Sequence, residues 1–303
     1  MNATPYQEST ATRRRNDLRA RPSWRTAKNQ LMTGLMIASV VAVAVPLVAV
    51  LWSVIERGAA IAFQHFPEFF TQTIPVVSRL PGPGMGPAIL GTLLVTGGAT
   101  LIAVPLGILG AVYLHEYGGN NQLARLVRFM ATVMTGVPSV VMGLFVYLIW
   151  TLQFGYSAFG GALALACLML PVVIGATEQM LKLVPSQLRE AAYALGTTKS
   201  RTIVTVVLPA ALPGIVSGAL LAVARAAGET APLLFAVGAA HAFNIHLFSE
   251  ANTALSVQIF ANANSSFTAA QDRAWAAALT LVLLTFVVTL VARLFTARLA
   301  LKR

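Results

Sequence analysis

Residues 129–177 read FMATVMTGVPSVVMGLFVYLIWTLQFGYSAFGGALALACLMLPVVIGAT and carry no Asp, Glu, Lys or Arg across 49 positions. At 1.5 Å per residue one straight helix of that length would run on the order of 70 Å, about twice the hydrocarbon core of a bilayer. The stretch must fold back on itself. Its centre, Gln153-Phe-Gly-Tyr-Ser-Ala-Phe-Gly-Gly161, is dense in residues that interrupt regular structure. Two membrane helices are expected on either side of it, at about 127–152 and about 160–182.

The same pattern extends outward. Leu31–Ile55 and Ala88–Leu114 are also free of charge, and Ala274–Ala292 makes a last apolar run. A fifth span, expected at about 209–238, is interrupted by Arg225 and Glu229. These readings predict an all-α polytopic membrane protein of six helices. Composition agrees: of 303 residues 57% are hydrophobic and 10% charged, against about 25% charge in soluble domains. The single cysteine, Cys167, excludes a disulfide scaffold and reads as a small packing residue. Prolines inside the expected spans (Pro46, Pro105, Pro138, Pro171, Pro213) predict kinked helices, which bundled membrane helices tolerate. The long basic start and the long first apolar run predict no cleaved signal peptide.

The formal net charge is +11. In a soluble chain it would suggest nucleic acid; here it follows the loops. Arg13, Arg14, Arg15, Arg19, Arg21, Arg25 and Lys28 precede the first span. Arg125 and Arg128 lie between the second and third, Lys182, Arg189, Lys199 and Arg201 between the fourth and fifth, and Arg293, Arg298, Lys302 and Arg303 at the end. That is 17 of the 21 basic residues, against Arg57, Arg79 and Arg273 on the other side. The positive-inside bias puts both termini in the cytoplasm of a bacterial inner-membrane protein, with Trp52, Trp150 and Trp275 at outer span ends. The expected organisation is a basic arm at residues 1–30 that meets anionic lipid rather than nucleic acid, a membrane body at 31–298 and a tail at 299–303.

The cytoplasmic segment at 184–209 is the most informative. Ser186 to Leu195 predicts a short amphipathic helix with Leu188, Ala191, Ala192 and Leu195 on one face. Gly196 suits a left-handed position after its end, and Thr197 or Thr198 could cap a second helix. An ordinary folded loop is the bland alternative to a docking knob. The spacing of Glu190, Ala191, Ala192, Gly196, Val206, Leu208 and Pro209 resembles the coupling loop of ATP-binding-cassette importer permeases, E-A-A-x3-G-x9-I-x-L-P, with Val for Ile as the one departure. That resemblance implies docking of this loop onto a separate ATPase. No G-x-x-x-x-G-K-[ST] phosphate loop is present, so ATP and Mg belong to the partner and no cofactor is expected on this chain.

Arg225 and Glu229 are four residues apart, which on a continuous helix puts them on one face. A charge in mid-membrane costs at least ~2.5–3.5 kcal/mol on insertion scales, so such residues mark function or pair with one another. One reading is mutual neutralisation for insertion. The other gives Arg225 planar, permanently charged donors for an oxyanion, with Glu229 competing for the guanidinium and Thr230 adding a hydroxyl. Gly228 would allow close helix approach beside the pair. The run Arg-Ala-Ala-Gly-Glu-Thr-Ala-Pro-Leu-Leu-Phe235, together with Gly136-Val-Pro-Ser-Val-Val-Met-Gly-Leu-Phe145 and Gly86-Pro-Ala-Ile-Leu-Gly-Thr-Leu93, is similar to the phosphate-specific ABC-importer permeases. With the loop, the resemblance covers 31–298. It implies a six-helix MetI-like permease fold, inorganic phosphate as substrate, a PstC-like second permease, a PstB-like ATPase dimer and a PstS-like periplasmic binding protein.

Lesser signals complete the reading. Ser139 follows a kinking proline and offers either a pathway hydroxyl or a packing contact. Glu178 is expected to be solvated at the interface, and His241 and His246 to be loop residues rather than metal ligands. A permease for sulfate or molybdate is the same-class alternative, disfavoured because Thr-Ala-Pro rather than Phe follows Glu229. An ion-driven secondary transporter is disfavoured by the coupling loop. A membrane enzyme is disfavoured by the lack of any catalytic constellation.

Overall fold

Gly91, Val95, Ala99, Ala103, Gly107 and Ala111 recur every fourth residue, and all six are buried. A stripe of small residues at that spacing lets two helix backbones approach closely, which is how membrane helices associate where burial from water gives no drive between them. The structure, a computed structural model, describes residues 24–301 except 80, 81, 83 and 120, with side chains described as far as 294. Arg13, Arg14, Arg15, Arg19, Arg21, Lys302 and Arg303 lie outside the described residues, as does the side chain of Arg298. Among the described residues every regular element is helical.

The chain divides into two compact units, 1–53 and 54–303. In the first, the described residues form a continuous helix, the opening part of α1 (Trp24–Gln64), whose side chains are exposed from Trp24 to Trp52. In the second, the end of α1 is followed by α2 (Glu68–Thr71), α3 (Gly86–Val112), α4 (Gln122–Gly136), α5 (Ser139–Val146) and α6 (Ala158–Leu183). After these come α7 (Ser186–Ala194), α8 (Lys199–Thr202), α9 (Leu208–Ala227), α10 (Ala231–Ala236), α11 (Leu255–Ala263) and α12 (Thr268–Leu301). Turns of π-helix extend α3 through Tyr113–Tyr117 and α5 through Tyr147–Thr151, and join α8 to α9 at Ile203–Val207. The last of these precedes Pro209, which lacks an N–H to bond back into the helix.

The small-residue stripe of α3 packs on α6, burying Val95, Ala99 and Ala103 against Ala162, Leu165, Met169 and Val173. At Gly107 a Cβ would fall 2.8 Å from the Val173 Cβ, so glycine sets the closeness of this crossing. The turn expected at 153–161 is present. Gly155 has φ +82°, and the Ser157 hydroxyl accepts the Gly160 N–H at 3.2 Å, capping α6.

Two expected helices are broken. The single span at about 127–152 is instead α4 and α5, bent by 109°. Val137 adopts φ −71°, ψ 127°, outside the helical region, because a proline disfavours helical backbone in the residue before it. Contacts place α4 along the half of α6 nearer its C-terminus, where Arg128 reaches Glu178 at 3.1 Å. They place the far end of α5 at the start of α6, where Trp150 Nε1 donates to the Ser157 Oγ at 3.1 Å. The bent pair is therefore one broken crossing. Among the described residues five other helices are long and apolar enough to cross a membrane, and the bent pair counted as one crossing makes up to six. The fifth span ends early: α9 stops at Ala227, Gly228 to Thr230 leave the helix, and α10 follows. Arg225 and Glu229 thus do not share one continuous helix.

Candidate functional site

The loop at 184–209 folds as two short helices. α7 ends in a Schellman motif: the Thr197 N–H donates to the Ala192 carbonyl at 3.2 Å and the Gly196 N–H to the Tyr193 carbonyl at 2.9 Å. Gly196 supplies the left-handed residue at φ +80°. Thr198 stands at the head of α8 without a side-chain cap bond, while Thr197 Oγ1 instead donates to the Ala192 carbonyl and pairs with Thr202 Oγ1, both at 2.7 Å. The expected apolar face splits. Ala192 is buried, whereas Leu188, Glu190, Ala191 and Leu195 are exposed on the knob. Leu208 and Pro209 are half-buried where the loop re-enters the bundle.

The α4–α5 break and the α9–α10 break face each other. Between them lies a cavity of about 300 Å³ whose lining includes Thr135, Ser139, Met169, Pro171, Arg225 and Glu229. Met169 and Pro171 are near the middle of the 26-residue α6, which puts the cavity near mid-depth. Ser139 opens α5, so the first amides of that helix, which have no partner within it, stand at the cavity edge with the positive end of the helix dipole. Arg225 Nε lies 3.7 Å from Glu229 Oε1, beyond hydrogen-bond length. The Arg225 side chain is 74% exposed and that of Glu229 22%. The pair is therefore not buried within this chain and is loosely engaged. A bare guanidinium facing lipid at this depth is costly, so this face of α9 must meet water or another protein chain. Thr230 lies beyond the cavity, at the head of α10.

Two other expectations, for Glu178 and Gly228, change. Glu178 is not solvated at an interface: it is 7% exposed, and Arg128 and Lys182 both reach its Oε1 at 3.1 Å. No neighbouring helix approaches Gly228, where an added Cβ would meet only the Arg225 carbonyl at 3.6 Å. Trp150 is half-buried between Phe154 and Phe159, and Trp275 lies under Arg57 at 5.2 Å. Cys167 is half-buried within α6. His241 and His246 fall in the irregular segment between α10 and α11. The contributions of Thr135 and Met169 to the cavity were missed. They lie on charge-free helices, where only tertiary packing shows which residues meet.

Residues 103–301 match the family described as binding-protein-dependent transport system inner membrane component. Relatives include the phosphate transport system permease protein PstA 1 of Mycobacterium tuberculosis, 44% identical over 88% of each chain. Another is PstA of Yersinia pestis, 40% identical over 92% of this chain and 94% of its own. The fold is similar to a solved bacterial ABC transporter that imports alginate, with TM-score 0.60, 17% identity, and 90% of this chain and 99% of that chain covered. It is also similar to the methionine transporter MetNI in an inward-facing form, with TM-score 0.51, 18% identity and coverage of 70% and 91%.

Proposed function

The chain belongs to the binding-protein-dependent transport system inner membrane component family, and we propose that it is the membrane permease subunit of an ATP-driven importer of inorganic phosphate. Relatives 38–44% identical to it are phosphate permeases of the PstA type, matched over 88–95% of their own length. The observation that carries the reading is the mid-depth cavity, which Arg225 and Ser139, the first residue of α5, both line. Fixed positive charge and amide donors in a cavity lined by both polar and apolar groups suit a tetrahedral oxyanion. Glu229, 3.7 Å from Arg225 Nε, competes for the same guanidinium and keeps the anion from lodging. Thr230 adds a hydroxyl on the outward path.

In this reading the pathway is completed by a second, PstC-like permease against the exposed Arg225 face of α9. A PstB-like ATPase dimer binds ATP and Mg and docks on the 184–209 knob through Glu190, Ala191 and the exposed apolar residues. A PstS-like periplasmic protein delivers phosphate. Residues 31–298 form the membrane body, and both termini, including the basic arm at 1–30 and the tail at 299–303, lie in the cytoplasm. Sulfate and molybdate are not favoured as substrates, because Thr-Ala-Pro follows Glu229 and the matching relatives named above carry phosphate in their names. The test is uptake of labelled phosphate into proteoliposomes holding the four-component complex. Uptake should require ATP and the binding protein and should resist a large excess of sulfate. Uptake without ATP, or its abolition by sulfate, would refute the reading.

A further inference from the structure

We propose that the π-helical turn Tyr113–Tyr117, at the end of α3, is the hub through which movement of the 184–209 knob reaches the transport cavity, with Arg189 and Glu116 as its positioning residues. The inference rests on the permease reading above and adds the route of transmission.

The turn is gripped from three directions. From α7, Arg189 Nη2 donates to Glu116 Oε1 at 2.9 Å, and the same guanidinium donates to the Leu181 carbonyl at 3.1 Å and the Val184 carbonyl at 2.8 Å. Arg189 therefore ties together the end of α6, the knob and the end of α3. The side chains of this pair are 17% and 6% exposed, so a charge-assisted bond here is little weakened by water. From α8, the other half of the knob, the Lys199 ammonium bonds the Glu116 carbonyl and lies 4.8 Å over the Tyr117 ring. From α4, Arg128 donates to the Leu114 carbonyl at 3.3 Å while also pairing with Glu178. Both helices of the knob hold one turn, and that turn holds the helix that leads to Pro138 and Ser139.

The mechanics follow from the materials. α4 is a short rigid rod with the turn at one end and the Pro138 break at the other. A π-helical turn carries a residue in excess of the regular helix and is a place where a helix can change pitch without losing its backbone bonds. A displacement of the knob is transmitted through Arg189, Glu116 and Lys199 to the turn, then through Arg128 to α4, whose far end carries Thr135 at the cavity wall. The exposed docking face of the knob, Leu188, Glu190, Ala191 and Leu195, uses none of these residues. ATPase docking and transmission are thus separable by mutation.

The experiment measures phosphate taken up per ATP hydrolysed in proteoliposomes of the complete complex, alongside membrane abundance. Glu116→Gln keeps shape and removes the charge, so the ATPase still docks and turns over, but uptake per ATP falls about tenfold. Glu116→Asp keeps the carboxylate and should restore the ratio to within about threefold of wild type. A purely structural role would lower abundance and both rates together and leave the ratio unchanged; that result overturns the proposal. If Glu116→Gln does not accumulate, Lys199→Met decides. Its ammonium is at the exposed rim, so folding is not at stake, and an unchanged ratio again overturns the hub. Failure of the wild-type complex to couple phosphate uptake to ATP would instead refute the permease reading.

Discussion

At the scale of single residues, Arg225 carries the substrate argument, and its geometry sharpens the test. A 3.7 Å contact to Glu229 with the guanidinium 74% exposed is the geometry of a weak pair, of the kind that contributes about 0–1 kcal/mol. The guanidinium is therefore not locked to Glu229 and is available to an anion. Arg225→Lys retains the charge but loses the planar fork and should transport poorly; Arg225→Gln should be nearly inactive, both at normal abundance. Glu229→Gln frees the guanidinium, so phosphate should be held longer and turnover should slow. The combined Arg225→Gln, Glu229→Gln variant separates the readings. It should insert well and still fail to take up phosphate, and robust uptake would remove Arg225 from the mechanism. The types and spacing of these residues were visible in the sequence, because a charge inside an apolar run is expensive enough to be conspicuous. Their surroundings were not. Helical periodicity put both on one helix, whereas Glu229 lies past the end of α9, and Thr135 and Met169 have no chemical signature among 49 charge-free residues.

Among elements, the helix-then-glycine turn of the knob was legible in the sequence, its buried face and second cap were not, and neither was the third span. The knob's end is written in local chemistry: an amphipathic nine-residue helix, then a glycine where only left-handed backbone closes the Schellman bonds. A Cβ added at Gly196 would meet no neighbour within 4 Å, so backbone strain at φ +80° is the main cost of a substitution there. Gly196→Val should insert normally yet lose phosphate-stimulated ATPase activity, since β-branched residues strongly resist this conformation. Gly196→Asn, which tolerates left-handed backbone, should retain most of it. Equal stimulation in the wild-type and Val complexes would show that the knob does not need this turn. Pro138, by contrast, announced a kink without its size. The 109° bend depends on α5 crossing α10 so closely that a Cβ on Gly143 would come within 2.6 Å of the Pro232 Cα. That contact joins segments about ninety residues apart, and local sequence does not encode it.

For the whole molecule, two sets of contacts sort the connecting segments to opposite ends of the bundle without reference to charge. At one end Arg273 Nη2 donates to the Ser78 carbonyl at 2.9 Å and the Ile74 N–H to the His241 carbonyl at 2.9 Å. These bonds join the 56–87 region to the 239–273 region. At the other end Arg189 joins the 184–209 loop to Glu116, in the π-helical turn after α3, at 2.9 Å. Charge then decides which end is which. The end with Glu116 and Arg189 also holds Arg125, Arg128, Lys182, Lys199 and Arg201, whereas the Ser78 end has Arg57, Arg79 and Arg273. Moving basic loops outward is opposed during insertion, so the Arg189 end should be cytoplasmic and the Ser78 end should receive the binding protein. Ser78, Asn264 and Thr198 are all exposed, so each can report its side. In a Cys167→Ala background, Ser78→Cys and Asn264→Cys should react with a membrane-impermeant maleimide added to intact spheroplasts. Thr198→Cys should react only after the membrane is opened. Labelling of Thr198→Cys from outside would invert the molecule, place the knob out of reach of any cytoplasmic ATPase, and end the importer reading with it.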